Sequence, residues 1–140
     1  MKIENFGIIM VNLTSKQILG SWGENQARIF LEEQGMKCLA SNYRYKKGEI
    51  DLIMKNNNDL VFVEVKTKVD EYSGEPAENV DQKKMRQIEG VIEFILSNSG
   101  LQRDWGFDEE VKWQVDVVAV YGDGKKIFDI MHYENVTFWE

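Results

Sequence analysis

The feature that most constrains this chain is a pair of apolar runs, residues 49–55 and 60–68, parted by Asn56-Asn57-Asn58-Asp59. Short runs rich in Val and Ile read as strands, and Asn tolerates the left-handed backbone that a tight turn needs. The stretch therefore reads as a hairpin. With the turn centred on Asn57-Asn58, Asp51 faces Glu64, Ile53 faces Phe62 and Glu49 faces Lys66. Strand alternation puts Glu64 and Lys66 on one face and Val61, Val63 and Val65 on the other.

That register brings like charges together. Carboxylates directly opposite each other destabilise a sheet, and more so where they are half-buried. Lys66 offsets part of this, but the acids outnumber it. A hard divalent cation such as magnesium would answer the problem, since it takes one or two carboxylates plus water and phosphate oxygens. Two plainer readings stay open. Charges on an edge strand discourage pairing with other chains, so Glu49–Lys66 could be a surface pair. A one-residue slip would also separate Asp51 from Glu64.

Around the hairpin, residues 15–34 read as a helix, with Leu19, Trp22, Ala27, Phe30 and Leu31 at helical spacing, Ser15 as cap and Gly35 after the end. Gly20, Gly23 and Ala27 form a smooth stripe, and Glu24 borders it. Residues 37–45 read as a strand, and 69–80 as a polar, acidic loop carrying Gly74 and Pro76. Asp81 caps a second helix running to about Asn98, with Met85, Ile88, Ile92 and Ile95 on one face and Gly100 beyond its end. After a loop over 101–112, strands at 113–121 and 126–133 complete an α/β fold. Its mixed sheet has about five strands, in the order helix, three strands, helix, two strands. Residues 1–14 read as an appended arm and 15–140 as a single domain.

The chain of 140 residues suits one domain with a real core. With Cys38 the only cysteine, an internal disulfide and a Cys-based zinc site are excluded, and Cys38 reads as a small buried side chain. The run Gly7-Ile8-Ile9-Met10-Val11 is too short to span a membrane, so a cytoplasmic protein is expected. A net charge of −7 sits awkwardly with nucleic-acid binding. Local cations temper the objection. Arg44, Lys46 and Lys47 precede the hairpin, and Lys83, Lys84 and Arg86 crowd the first turn of the second helix. Cations there oppose the helix dipole, and a bound anion would relieve the conflict. A solvated surface cluster is the plainer alternative.

At this point a resemblance enters. Gly48-Glu49-Ile50-Asp51-Leu52-Ile53 followed by Val61-Phe62-Val63-Glu64-Val65-Lys66 resembles the Asp…Glu-x-Lys core of the restriction-endonuclease-like superfamily. The chain more closely resembles the YraN family of small bacterial proteins. The similarity takes in Gly20…Gly23-Glu24…Ala27…Leu31, Asn42-Tyr43-Arg44, Val80 and Lys83, Val115-Asp116-Val117-Val118, and Ile130…His132…Glu134-Asn135…Phe138. It covers residues 18–138. Thr67-Lys68 departs from the family, where an Arg is common. So do the acidic residues Asp70, Glu71, Glu75 and Glu78, which weigh against tight duplex binding, and a longer N-terminal arm.

The resemblance implies the superfamily's fold and chemistry. Asp51, Glu64, the backbone carbonyl of Val65 and Glu24, directly or through water, would hold magnesium or manganese. Lys66 would position the attacking water, and Glu49 would orient its neighbours. The substrate would be DNA, branched or processed, bound by Arg44, Lys46, Lys47, Lys83, Lys84 and Arg86. Lys83 also matches the family. The expected function is a metal-dependent nuclease leaving a 5′-phosphate. The alternatives are a nucleic-acid-binding module without hydrolysis and a protein-interaction domain on the same fold, and a homodimer fits all three. His132 reads as structural, and Trp105, Trp113 and Trp139 as packing residues rather than base-stacking ones.

Overall fold

A computed structural model describes residues 14–70 and 80–136. The elements are α1 (Ser15–Glu33), β1 (Lys37–Tyr45), β2 (Gly48–Asn56), β3 (Asp59–Lys68), α2 (Gln82–Leu96), α3 (Ser99–Trp105), β4 (Trp113–Gly122) and β5 (Ile127–Tyr133). The sheet runs β1-β2-β3-β4-β5, with β3 and β4 parallel and every other pair antiparallel. This is the α/β mixed sheet flanked by helices that the sequence implies. Apart from Thr14, the arm expected over 1–14 lies outside the described residues, as do Trp139 and residues 71–79 of the acidic loop.

Alternation along β3 builds both halves of the core. Val61 and Val63 face α1, where Ala27 and Leu31 are fully buried. Phe62 faces α2 and meets Ile88, Ile92 and Ile95. Burying each such side chain contributes roughly 1.5–3 kcal/mol. Gly23 lets α1 press close: a Cβ there would sit 1.9 Å from Thr67 Oγ1. Gly20, expected on the same stripe, faces open space.

Three local expectations are corrected. Thr14, not Ser15, caps α1: its hydroxyl accepts the Gln17 N–H at 3.1 Å and its own N–H donates to the Gln17 side chain at 2.9 Å. Residues 101–105, expected in a loop, belong to a third helix that also takes in Gly100. Asn98 starts that helix by accepting the Leu101 N–H at 2.9 Å, and Lys55 Nζ donates to the carbonyls of Trp105 and Gly106 at its end, each at 2.9 Å. Cys38 is half-buried rather than buried, with Sγ 3.6 Å from the Ala40 carbonyl. The packing reading of Trp105 and Trp113 agrees with edge contacts on Tyr43 and Phe62 at 5.9 and 6.0 Å.

Candidate functional site

The site forms where β2 parts from β3. Their ladder runs from Asn56↔Asp59 through Ile53↔Phe62 to Leu52↔Val63, the register expected from the Asn57-Asn58 turn, where Asn57 takes φ 56°. Beyond Leu52 a side chain replaces the backbone partner: the Asp51 carboxylate accepts the Val65 N–H at 2.8 Å. Opposite, in β1, Asn42 adopts φ 50° and donates from Nδ2 to Glu24 Oε1 at 2.8 Å. One irregular point in the sheet thus collects Glu24 from α1, Asp51 from β2 and Glu64 from β3.

Glu64 is 4 % exposed. Its Oε2 is ion-paired with Lys84 Nζ, while Oε1 is buried without a hydrogen-bond partner. Burial, then the Asp51 charge, push its carboxyl up to about 8 despite Lys84. Glu24 is raised to about 7 by burial, then by Asp51 and Glu49. Burial would lower the Lys84 ammonium, but Glu64, with Asp51 and Asp81, outweighs it and the net shift is upward. The carboxylates therefore repel one another with too little positive charge among them.

A cleft of about 360 Å³ opens beside Glu64, lined by Lys66, Lys68, Val80, Asp81 and Lys84. A second, also about 360 Å³, is lined by Lys47, Glu49, Lys83, Lys84 and Gln87. The cations expected to meet a substrate fall in different places. Lys84 belongs to the acidic site. Arg44 Nε is held by Glu49 at 2.7 Å across β1 and β2, which corrects the expected opposition of Glu49 and Lys66. Lys46 and Lys47 form the β1–β2 turn, and Lys46 Nζ lies 5.5 Å from the Tyr45 ring centroid. Arg86 lines a groove with Tyr45 and Gly90.

The sequence reading missed Asn42 and the role of Lys84. Asn42 gave no signal beyond its place in the family pattern. Lys84 did: it lies four residues before Ile88 and so shares the stripe that α2 buries.

A second cluster lies on the α1 side of β4 and β5. Asp116 is fully buried, its Oδ1 accepting from Gln114 Nε2 and the Asn135 N–H, each at 2.8 Å. His132 Nε2 lies 2.8 Å from Oδ2, and its ring meets Phe30 edge-on at 6.1 Å. Burial pushes the Asp116 carboxyl up, but the bonds from His132, Asn135 and Gln114 outweigh it and hold it below the usual range. The ligand atoms of Asp116, His132 and Glu134 lie within 4.8 Å of one another, so this group could hold a metal ion. Among the described residues, Glu24, Asp51 and Glu64 do not close to that spacing. Both oxygens of Asp116 are already engaged, which equally makes the cluster a tether for the end of β5.

The profile of the uncharacterised protein family UPF0102, the YraN family, matches residues 23–120. A UPF0102 protein of Caldicellulosiruptor bescii is 38 % identical over 79 % of this chain and 87 % of its own length. One from Clostridioides difficile is 36 % identical over 81 % of this chain and 93 % of its own. Among solved structures, Pyrococcus furiosus SfsA in complex with Ca2+ shares 13 % identity over 78 % of this chain and 58 % of that chain, with a TM-score of 0.35. A likeness at that level supports no inference about this chain. No helix among the described residues is long and apolar enough to cross a membrane.

Proposed function

We propose that this chain, which belongs to the uncharacterised protein family UPF0102, is a metal-dependent hydrolase of phosphodiester bonds in DNA. The observation that carries the reading is the buried Glu64, whose Oε1 has no partner beside the Asp51 carboxylate. Leaving a buried acceptor unpaired costs about 1–3 kcal/mol, more if it is charged. An all-oxygen donor set of Asp51, Glu64, Glu24 and the Val65 carbonyl fits a hard cation, magnesium or manganese. Such an ion supplies Lewis acidity and lowers the pKa of bound water.

The chain's own residues do the rest. Asp51 is fixed by the Val65 N–H, so its free oxygen keeps one orientation. Asn42 restrains the Glu24 carboxylate through its hydrogen bond to Oε1. Lys66 lines the cleft beside Glu64, where its ammonium would position water and counter phosphate charge. Lys83 and Lys47 line the adjoining cleft and would meet flanking phosphates.

A second reading, nucleic-acid binding without hydrolysis, is favoured by Lys84, whose ammonium already neutralises one oxygen of Glu64. Calorimetric titration of manganese into wild type and Asp51→Asn separates the two. Binding by wild type that vanishes in the variant supports the metal site that hydrolysis needs, and binding by neither removes that site and hydrolysis with it.

A further inference from the structure

Tyr45 ends β1, Lys46 makes the turn at φ 53°, and Gly48 presses the start of β2 onto α2, where a Cβ would lie 2.4 Å from the Gln87 carbonyl oxygen. Beside that contact α2 presents Gly90, with no atom beyond its own stretch of helix within 4 Å of where its Cβ would be. Between turn and helix lies a groove of about 570 Å³ lined by Tyr45, Lys46, Lys47, Gly48, Arg86 and Gly90. The Tyr45 ring is fixed by stacking on Phe94, with centroids 4.0 Å apart and planes 14° from parallel. Among the described residues, none of Lys46, Lys47, Lys83 and Arg86 holds a carboxylate.

The groove is not isolated. It shares Lys47 and Gln87 with the cleft of Glu49 and Lys83, and that cleft shares Asp81 and Lys84 with the one beside Glu64. A single track therefore runs from an aromatic, cation-rimmed groove to the acidic site. Aromatic rings flanked by cations bind unstacked bases and the phosphates joining them. A paired duplex keeps its bases inside the stack and offers the groove only phosphates. We infer that the groove seats an unpaired nucleobase, so that the strand led to the acidic site comes from a single-stranded segment. The inference rests on the nucleic-acid reading above and names the form of substrate that enters.

Gly90 offers a direct test, because it lines the groove and a Cβ added there meets open space. Fluorescence anisotropy in metal-free, low-salt buffer would follow a labelled short oligothymidylate and a labelled blunt-ended duplex annealed from two complementary strands. Gly90→Phe is expected to weaken oligothymidylate binding about tenfold and to leave duplex binding as in wild type. Tyr45→Leu, which keeps apolar bulk but removes the ring, is expected to act the same way. Unchanged oligothymidylate binding in both variants, or equal weakening of single strand and duplex, overturns the inference. A flat manganese titration of wild type sinks metal-dependent hydrolysis alone, so the two failures are told apart.

Discussion

Asp116 and Glu64 are carboxylates sunk into the same sheet on neighbouring strands, 0 % and 4 % exposed, and the fold treats them in opposite ways. Asp116 meets Gln114, Asn135 and His132 and sits below the usual carboxylate range. Glu64 has one lysine, one orphaned oxygen and an acid for a neighbour, and sits far above that range. Buried polar groups are nearly always satisfied, so Asp116 is what stability alone would produce. A buried acid left unsatisfied costs stability, and such groups cluster where a ligand completes the set. The difference separates an acid whose hydrogen bonds the fold completes from one that the fold leaves incomplete.

The largest expected effect comes from breaking the satisfied cluster. Asp116→Asn replaces an acceptor of several bonds with an amide that presents its own N–H groups to some of the same donors. It should cost about 3 kcal/mol, read as a lower urea midpoint at unchanged m. Manganese affinity should stay as in wild type. If it were lost instead, Asp116, His132 and Glu134 would be the metal site and the two roles would exchange.

Glu64→Gln should act with the opposite sign, abolishing manganese binding while adding about 1 kcal/mol of stability near neutral pH. The pH dependence follows. Glu64 binds its proton more tightly folded than unfolded, so stability should fall as pH rises from 4.5 through about 8. Glu24 adds to that slope up to about 7. Asp116 contributes the reverse: its stabilisation is present above 3.8 and is lost as pH falls through its lowered folded value. Urea melts across this range should show the alkaline loss in wild type and a shallower one in Glu64→Gln.

The elements were legible in sequence because their patterns are local. The Asn57-Asn58 turn gave the register, and the stripe of Met85, Ile88, Ile92 and Ile95 gave the buried face of α2. The point where β2 leaves β3 was not legible. It depends on Asn42 taking a positive φ and on the Asp51 side chain replacing a ladder bond, and neither leaves a periodic trace. Glu49 went to Arg44 because β1 supplies a cation at the directly opposed position. His132 was read as structural. The structure sets it against Asp116, an acid that a reading centred on the hairpin passed over. The short α3 was missed because seven residues hold too few turns for a period to show.

The smallest expected change in stability sharpens the comparison most. Asn42 is exposed, and its amide touches the acidic site through one bond, 2.8 Å to Glu24. Asn42→Ala would confuse the result, because its φ of 50° strains a Cβ-bearing residue that lacks the Asn side chain. Asn42→Gly keeps that backbone conformation at little steric cost and removes only the amide. Stability should move by less than about 0.5 kcal/mol. Manganese affinity should fall about tenfold, as when a group that orients a metal ligand is removed. A residue that leaves the urea midpoint in place but weakens the metal is serving the unsatisfied cluster. If Asn42→Gly instead shifted the midpoint and spared the affinity, the strand irregularity would belong to the fold, and Glu24 would be a neighbour of the metal rather than a ligand.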